Sequence, residues 1–128
     1  MRELGSQQPT AVELEILRIL WEIEPAGVRS IHEQLQVVKK SNYSTTVKML
    51  SLMLQKGLVT RDEASTPHQY SSALSREQAG KSFVHELVEK IYSGSSMSLV
   101  LQALDGGKAS PDEIAKVRKI LDDMEQRS

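Results

Sequence analysis

The sequence predicts a mostly α-helical protein with one small β-hairpin near its middle. Helix-start signals precede four stretches in which apolar residues recur at helical spacing. After the third predicted helix, two short segments with β-branched and aromatic residues flank a turn that contains proline. The chain of 128 residues has no cysteine, which excludes disulfide frameworks, thiol nucleophiles and cysteine-based metal clusters.

The helix-start signals are capping boxes. In a capping box, a Ser or Thr is followed three residues later by Glu or Gln, and each side chain accepts a hydrogen bond from the other residue's backbone N–H. Such pairs occur at Thr10/Glu13, Ser30/Glu33, Ser75/Gln78 and Ser110/Glu113. The last pair also precedes Pro111, which suits the first helical position because no N–H is needed there.

The first half of the chain predicts three helices. The first covers about residues 11–23 and the second about residues 31–38, after a short strand at 28–29. The third begins near Ser44 and stops at Gly57, because glycine readily adopts the left-handed conformation that ends a helix.

Two short strands follow the third helix. They are predicted at Leu58–Arg61 and Gln69–Ser72, separated by the turn-forming run DEASTPH. Three helices followed by a hairpin is the order of elements in a winged helix-turn-helix. The sequence therefore predicts this domain for residues 1–74.

Residues 75–128 predict three further helices, at about 76–92, 97–104 and 111–126. Three thin helices bury little surface against one another, yet these carry many large aliphatic side chains. We expect a second copy of the chain to cover them, making this a dimerisation domain; the alternative is that they pack on the first domain as ordinary core. The predicted contacts are Leu87, Ile91, Leu99, Leu101, Leu104, Ile114, Val117, Leu121 and Met124.

A polar stripe runs along the third helix. Ser44, Lys48, Ser51 and Gln55 are spaced by 4, 3 and 4 residues and therefore share one face, with Thr45 beside its N-terminal end. The opposite arc, which includes Val47, is expected to pack on the first two helices. Because the stripe has small hydrogen-bonding groups and no carboxylate, it suits the edges of bases in the DNA major groove.

The charge distribution agrees with this interpretation. The net charge is −1, but residues 28–61 hold six basic side chains against Glu33 alone, a local balance of +5. The expected contacts to the DNA backbone are Arg29, Lys39, Lys40, Tyr43 and Lys56. On the hairpin, Arg61, His68 and Gln69 are expected to reach the flanking groove or the backbone. Each feature has a simpler reading, since a polar stripe also suits the solvated side of an amphipathic helix and mixed charge is common on surfaces.

No enzymatic constellation is visible. His85 and Glu86 resemble half of a zinc-protease signature, but Glu89 stands where that signature needs a second histidine. There is no glycine-rich phosphate loop and no nucleophile elbow, so neither a cofactor nor a metal is expected. The N-terminal segment has no signal-length apolar core and no run approaches a membrane span, so we expect a cytoplasmic protein.

The chain resembles the penicillinase-repressor family, the BlaI/MecI type of bacterial transcriptional regulators. The resemblance extends from about Thr10 to Met124. It rests on YSTTVKMLSLMLQKGLVTRDE, on Trp21, on SLVLQAL and on SPDEIAKVRKIL. It implies a homodimeric repressor whose two winged helices bind a palindromic operator in an antibiotic response.

The resemblance also implies a mode of induction. In the family, a membrane metalloprotease that senses β-lactams leads to cleavage of the repressor in its dimerisation region. The matching site here is Gln102–Ala103, where the best-known members have Asn-Phe. The hypothesis from a different class is a winged-helix protein-interaction module, in which the polar stripe contacts another protein instead of DNA.

Overall fold

The computed structural model describes residues 8–128 and confirms the predicted fold class. Within this range the chain forms six α-helices and one two-stranded antiparallel sheet. In chain order these are α1 (Ala11–Ile23), α2 (Val28–Val38), α3 (Tyr43–Lys56), β1 (Val59–Asp62), β2 (Gln69–Ser72), α4 (Arg76–Lys90), α5 (Ser96–Gly106) and α6 (Pro111–Arg127).

The chain divides into two compact units, Met1–Glu86 and Leu87–Ser128. The boundary between these units lies inside α4, whereas the predicted domains, 1–74 and 75–128, are separated just before this helix. The predicted domain bounds stay a prediction. None of the helices that the structure describes combines the length and the hydropathy that a membrane span requires.

The first unit is built around one apolar core. Each of the first three helices buries one face because its apolar residues recur every three or four positions. The hairpin closes the core, with Leu58 and Val59 entering β1 and Tyr70 on β2 all buried. The helical contributors are Ile16, Leu17, Leu20, Ile31, Leu35, Leu50 and Met53.

Three of the four predicted capping boxes are confirmed. The Ser or Thr hydroxyl accepts a hydrogen bond from the backbone N–H three residues on, and the Glu or Gln side chain accepts one from the capping residue. At α6 this hydrogen bond from the Ser110 backbone holds the pKa of Glu113 below its usual value. Gly57 also ends α3 as predicted, with a φ of 80°.

The predicted start of α2 is wrong. The helix begins at Val28 with Gly27 as its N-cap, so Ser30 lies inside the first turn and forms no capping box. The reason lies in the neighbouring backbone. Ala26 donates to the Tyr70 carbonyl at 3.0 Å and accepts from the Tyr70 N–H at 2.7 Å. The residue that pairs with β2 is therefore Ala26. The predicted strand at 28–29 does not form, since these residues begin α2.

The hairpin begins one residue later than predicted. The Leu58 N–H donates to the Met53 carbonyl at 2.9 Å and so belongs to the end of α3. The ladder then pairs Val59 with Ser72 and Arg61 with Tyr70. We call residues 59–72 the wing.

Most apolar side chains of the second unit lie on the surface, although Val88 is buried. Neither α5 nor α6 has a buried residue, so these helices contribute no core residues to the single chain. Exposed members include Ile91, Leu101, Leu104, Ile114 and Leu121. A large number of exposed aliphatic side chains is typical of a surface that another protein covers.

Candidate nucleic-acid interface

The polar stripe of α3 lies on the surface. Ser44, Lys48, Ser51 and Gln55 are all exposed, and so is Thr45 beside them. The whole of α3 has no acidic residue. It therefore offers hydroxyl, amide and ammonium groups to a neighbour, and no group on it repels phosphate.

The buried face of α3 differs from the prediction at one position. Val47 was expected to pack inward but is 39% exposed, and Thr46 is fully buried instead. Leu50 and Met53 complete this face. Thr46 is tolerated in the core because its Oγ1 lies 2.7 Å from Nδ1 of His32, so its hydroxyl has a partner.

The turn between α2 and α3 is held by side-chain hydrogen bonds. Gln36 Nε2 donates to the Ser41 carbonyl at 2.8 Å, and Gln36 Oε1 accepts from the Ser41 N–H at 3.3 Å. Gln36 also contacts the ring of His32, which sits one helical turn earlier on the same face. These hydrogen bonds fix the direction of α3 relative to α2, and hence the direction that the polar stripe faces.

Tyr43 extends this arrangement to the surface. Its ring packs edge-on against His32, with centroids 5.3 Å apart, and the Arg29 guanidinium carbon lies 5.5 Å from the Tyr43 ring centroid. His32 looks isolated in sequence, and this role was not predicted. The available signal was its spacing of four from Gln36, directly before a polar turn.

The basic side chains are not all equivalent. Arg29, Lys39, Lys40 and Lys48 are exposed, and none has a carboxylate within ion-pairing distance among the residues described. Lys56 was expected to contact the DNA backbone. Its ammonium instead binds the buried carboxylate of Glu13, so its charge is engaged inside the domain.

The wing carries both signs of charge. Arg61 on β1 forms an ion pair with Glu63, with Nη2 2.5 Å from Oε2. Hydrogen bonds to Tyr70 and Glu63 raise the pKa of Arg61, and the guanidinium in turn lowers the pKa of Glu63. His68 is exposed near the end of the loop between the strands.

An open cleft of about 630 Å³ joins three segments that are distant in sequence. The start of α2 supplies Arg29, the start of α3 supplies Tyr43, and the wing supplies His68 and Gln69. A cation, a hydroxyl and an imidazole thus surround one opening. This set of donors is suited to the oxygen atoms of a phosphate group.

The residues predicted for dimerisation are mostly exposed. Of these nine, only Leu99 and Val117 are half-buried. In the second unit, Leu104, Ile114, Val117 and Leu121 line an apolar groove of about 490 Å³.

The predicted cleavage site lies within α5. Gln102 and Ala103 are both exposed, and Gln102 Oε1 accepts a hydrogen bond from the Tyr92 hydroxyl at 2.7 Å. The bond joins α5 to the turn that follows α4. The backbone of the predicted cleavage site lies inside a regular helix.

A metal site is not apparent. Among residues 8–128, no group of three or more His, Asp or Glu side chains is arranged to hold a metal ion.

The chain is similar to known proteins over most of its length. A family model described as penicillinase repressor matches residues 9–123. The methicillin resistance regulatory protein MecI of Staphylococcus aureus (strain N315) is 27% identical over 112 residues, which cover 88% of this chain and 91% of the relative. The penicillinase repressor of Bacillus licheniformis is 21% identical over 120 residues, which cover 94% of each chain.

Solved structures give a weaker match. A MarR family transcriptional regulator from Silicibacter pomeroyi DSS is 21% identical with a TM-score of 0.44, covering 94% of this chain and 71% of that one.

Proposed function

The chain belongs to the penicillinase repressor family and is a DNA-binding repressor, and on this premise we propose that it acts as a homodimer on a palindromic operator. In this proposal α3 of each subunit enters the major groove of one half-site. A dimer with two-fold symmetry presents its two recognition helices in the same relation to the DNA, so each subunit meets the same sequence.

The observation that carries the proposal is the exposed, carboxylate-free face of α3 with unpaired cations around it. Ser44, Thr45, Lys48, Ser51 and Gln55 are the groups we assign to base edges. Arg29, Lys39, Lys40 and Tyr43 are assigned to the backbone, with His68 and Arg61 on the wing. Small polar groups in the middle and cations at the edges is the arrangement expected of a groove-reading helix.

The dimer is supported by the second unit. Most of its apolar side chains are exposed in the single chain, and exposed aliphatic surface is unfavourable in water. A second copy of the same chain offers the same groove and the same apolar side chains of α6. We therefore assign the predicted contacts from Leu87 to Met124 to the dimer interface.

We also propose that proteolysis in the second unit relieves repression. Cleavage between Gln102 and Ala103 would separate the end of α5 and all of α6 from the DNA-binding unit. Ile114, Val117, Leu121 and Met124 would then be lost from the interface. We propose a membrane metalloprotease that senses β-lactams as the partner, with the site becoming accessible when α5 unwinds.

The family is a class of transcriptional repressor and not of enzyme. The function is tested by DNA binding of the full chain. Binding is measured by the fluorescence anisotropy of a labelled random-sequence duplex over a series of salt concentrations. We expect the logarithm of the association constant to fall linearly with the logarithm of salt concentration, by about 0.9 for each phosphate contact. A complete lack of salt-sensitive binding would overturn the proposal and favour a protein-interaction module.

A further inference from the structure

The guanidinium of Arg61 on the wing forms an ion pair with the carboxylate of Glu63 on the same wing. Arg61 Nε and Nη2 both donate to one oxygen of Glu63, Oε2, at 3.0 and 2.5 Å. A single carboxylate oxygen thus takes two of the guanidinium's donors, in the way that a phosphate oxygen of DNA would.

This distinguishes Arg61 from the other basic residues of the proposed interface. Lys39, Lys40 and Lys48 have no carboxylate within 4.0 Å among the described residues, so they meet an approaching duplex with their charge unpaired. Arg61 must first leave Glu63, or share its donors between Glu63 and a phosphate.

The local backbone explains why the pair forms. Arg61 lies near the end of β1 and Glu63 is the first residue after this strand, so only Asp62 separates the two partners. Asp62 between them is fixed by the turn, because its Oδ1 accepts from the Ala64 N–H at 2.9 Å. Across the ladder, Arg61 is paired with Tyr70.

We propose that Glu63 is an internal competitor of the operator, which occupies Arg61 and thereby lowers the affinity of the repressor for DNA. The inference rests on the proposed function, since it concerns the same interface. In this role Glu63 limits the affinity of the repressor for DNA and takes no part in sequence recognition. A repressor that must leave its operator when induced benefits from such a limit.

The size of the effect follows from the exposure of the pair. The side chains of Arg61 and Glu63 are 27% and 61% exposed. Exposed ion pairs are weak and are screened by salt, so Glu63 is expected to change affinity only by a small factor, largest at low ionic strength.

Four proteins test the inference: the wild type, Glu63→Gln, Arg61→Gln and the double variant. Their affinities for a labelled random-sequence duplex are measured at low and at high salt. We expect Glu63→Gln to tighten binding at low salt on the order of threefold, and we expect most of this gain to disappear when Arg61 is replaced. The gain should also shrink at high salt.

The double variant separates competition from simple repulsion. If Glu63 acted only by repelling phosphate, its removal would tighten binding equally with and without Arg61. Equal tightening in both backgrounds, or no tightening at all, would overturn the inference. Glu77→Gln is the matched control, because it removes the same charge from an exposed position on α4 and is expected to leave affinity unchanged.

Lys40→Ala in the same assay distinguishes failure of the inference from failure of the proposed function. If none of the proteins binds DNA in a salt-dependent manner, the proposed function fails and the inference fails with it. If Lys40→Ala weakens binding while the Glu63 effect does not depend on Arg61, only the inference fails. Circular dichroism of each variant establishes that the fold is intact.

Discussion

Glu13 and Lys56 form an ion pair that joins the first turn of α1 to the last turn of α3. Lys56 Nζ donates to both carboxylate oxygens, at 2.8 and 2.9 Å, and Glu13 Oε1 also accepts from the Thr10 N–H at 2.9 Å. The side chain of Glu13 is 2% exposed, whereas that of Lys56 is 36% exposed. The end of the helix that carries the polar stripe is therefore tied to the start of the domain.

This asymmetry in burial predicts unequal costs for removing the two partners. Lys56→Met should lower the free energy of unfolding by about 2 kcal/mol, because the carboxylate stays buried without its main partner. Glu13→Gln should cost only about 1 kcal/mol, because the lysine reaches solvent and the amide still accepts from Thr10. Urea denaturation followed by circular dichroism measures both values.

The control for this pair is Lys81→Met, at an exposed position on α4. It introduces the same side chain and should change stability by less than about 0.5 kcal/mol. A cost for Glu13→Gln equal to or above that of Lys56→Met would contradict the view that burial of the carboxylate decides the outcome.

Two neighbouring threonines of α3 should separate stability from recognition. Thr46 is buried with its hydroxyl on His32, whereas Thr45 is exposed beside the polar stripe. Thr46→Val keeps the side-chain volume but leaves His32 without this partner, and should cost about 1 kcal/mol of stability. Thr45→Val makes the identical chemical change and should leave stability unchanged within about 0.5 kcal/mol.

For binding to operator DNA, the effect is expected at Thr45 and not at Thr46. Thr45→Val should alter the relative affinities for different operator sequences, which competition binding against a panel of duplexes measures. If Thr45→Val instead destabilised the fold and Thr46→Val did not, the assignment of the buried and exposed faces of α3 would be wrong.

These contacts show what the sequence can and cannot predict. The capping boxes at Thr10, Ser75 and Ser110 are local, since both partners lie within four residues, and the pattern alone predicts them correctly. The box at Ser30 fails because a distant strand residue, Tyr70, fixes the backbone just before α2. Tertiary contacts override the local signal there.

The candidate site divides in the same way. Helical spacing alone predicted which positions of α3 share the polar face, because that face depends on the period of one helix. The partners of the cations could not be predicted. Lys56 and Arg61 look alike in a charge count, but one is bound to Glu13 from another helix and the other to Glu63 on the wing. These pairings depend on side-chain placement in three dimensions.

Lys40 provides the most direct test of backbone contacts. Lys40→Ala should weaken binding to all DNA sequences by a similar factor and reduce the salt slope by about 0.9, the value for one lost phosphate contact. Binding titrations over a salt series give both quantities. Lys116→Ala removes the same charge from α6 and should leave the slope unchanged; equal slopes for both variants would remove Lys40 from the interface.

The apolar face of α6 predicts the assembly state. Ile114, Val117, Leu121 and Met124 recur at spacings of 3, 4 and 3, so they form one stripe. In the single chain Val117 is half-buried and the other three are exposed, which leaves the stripe open to a partner. Leu121→Glu should convert the protein to a monomer, because a dimer would have to bury the new charge without a partner. Sedimentation velocity measures the mass.

The matched control for Leu121→Glu lies on the same helix. Ala115 is exposed on the side of α6 opposite this stripe, so Ala115→Glu adds the same charge without touching the proposed interface and should leave a dimer. The Leu121→Glu monomer should also bind a palindromic site no better than a half-site, since the second recognition helix is no longer attached. An unchanged mass for Leu121→Glu, or dissociation of both variants, would show that this stripe is not what holds two chains together.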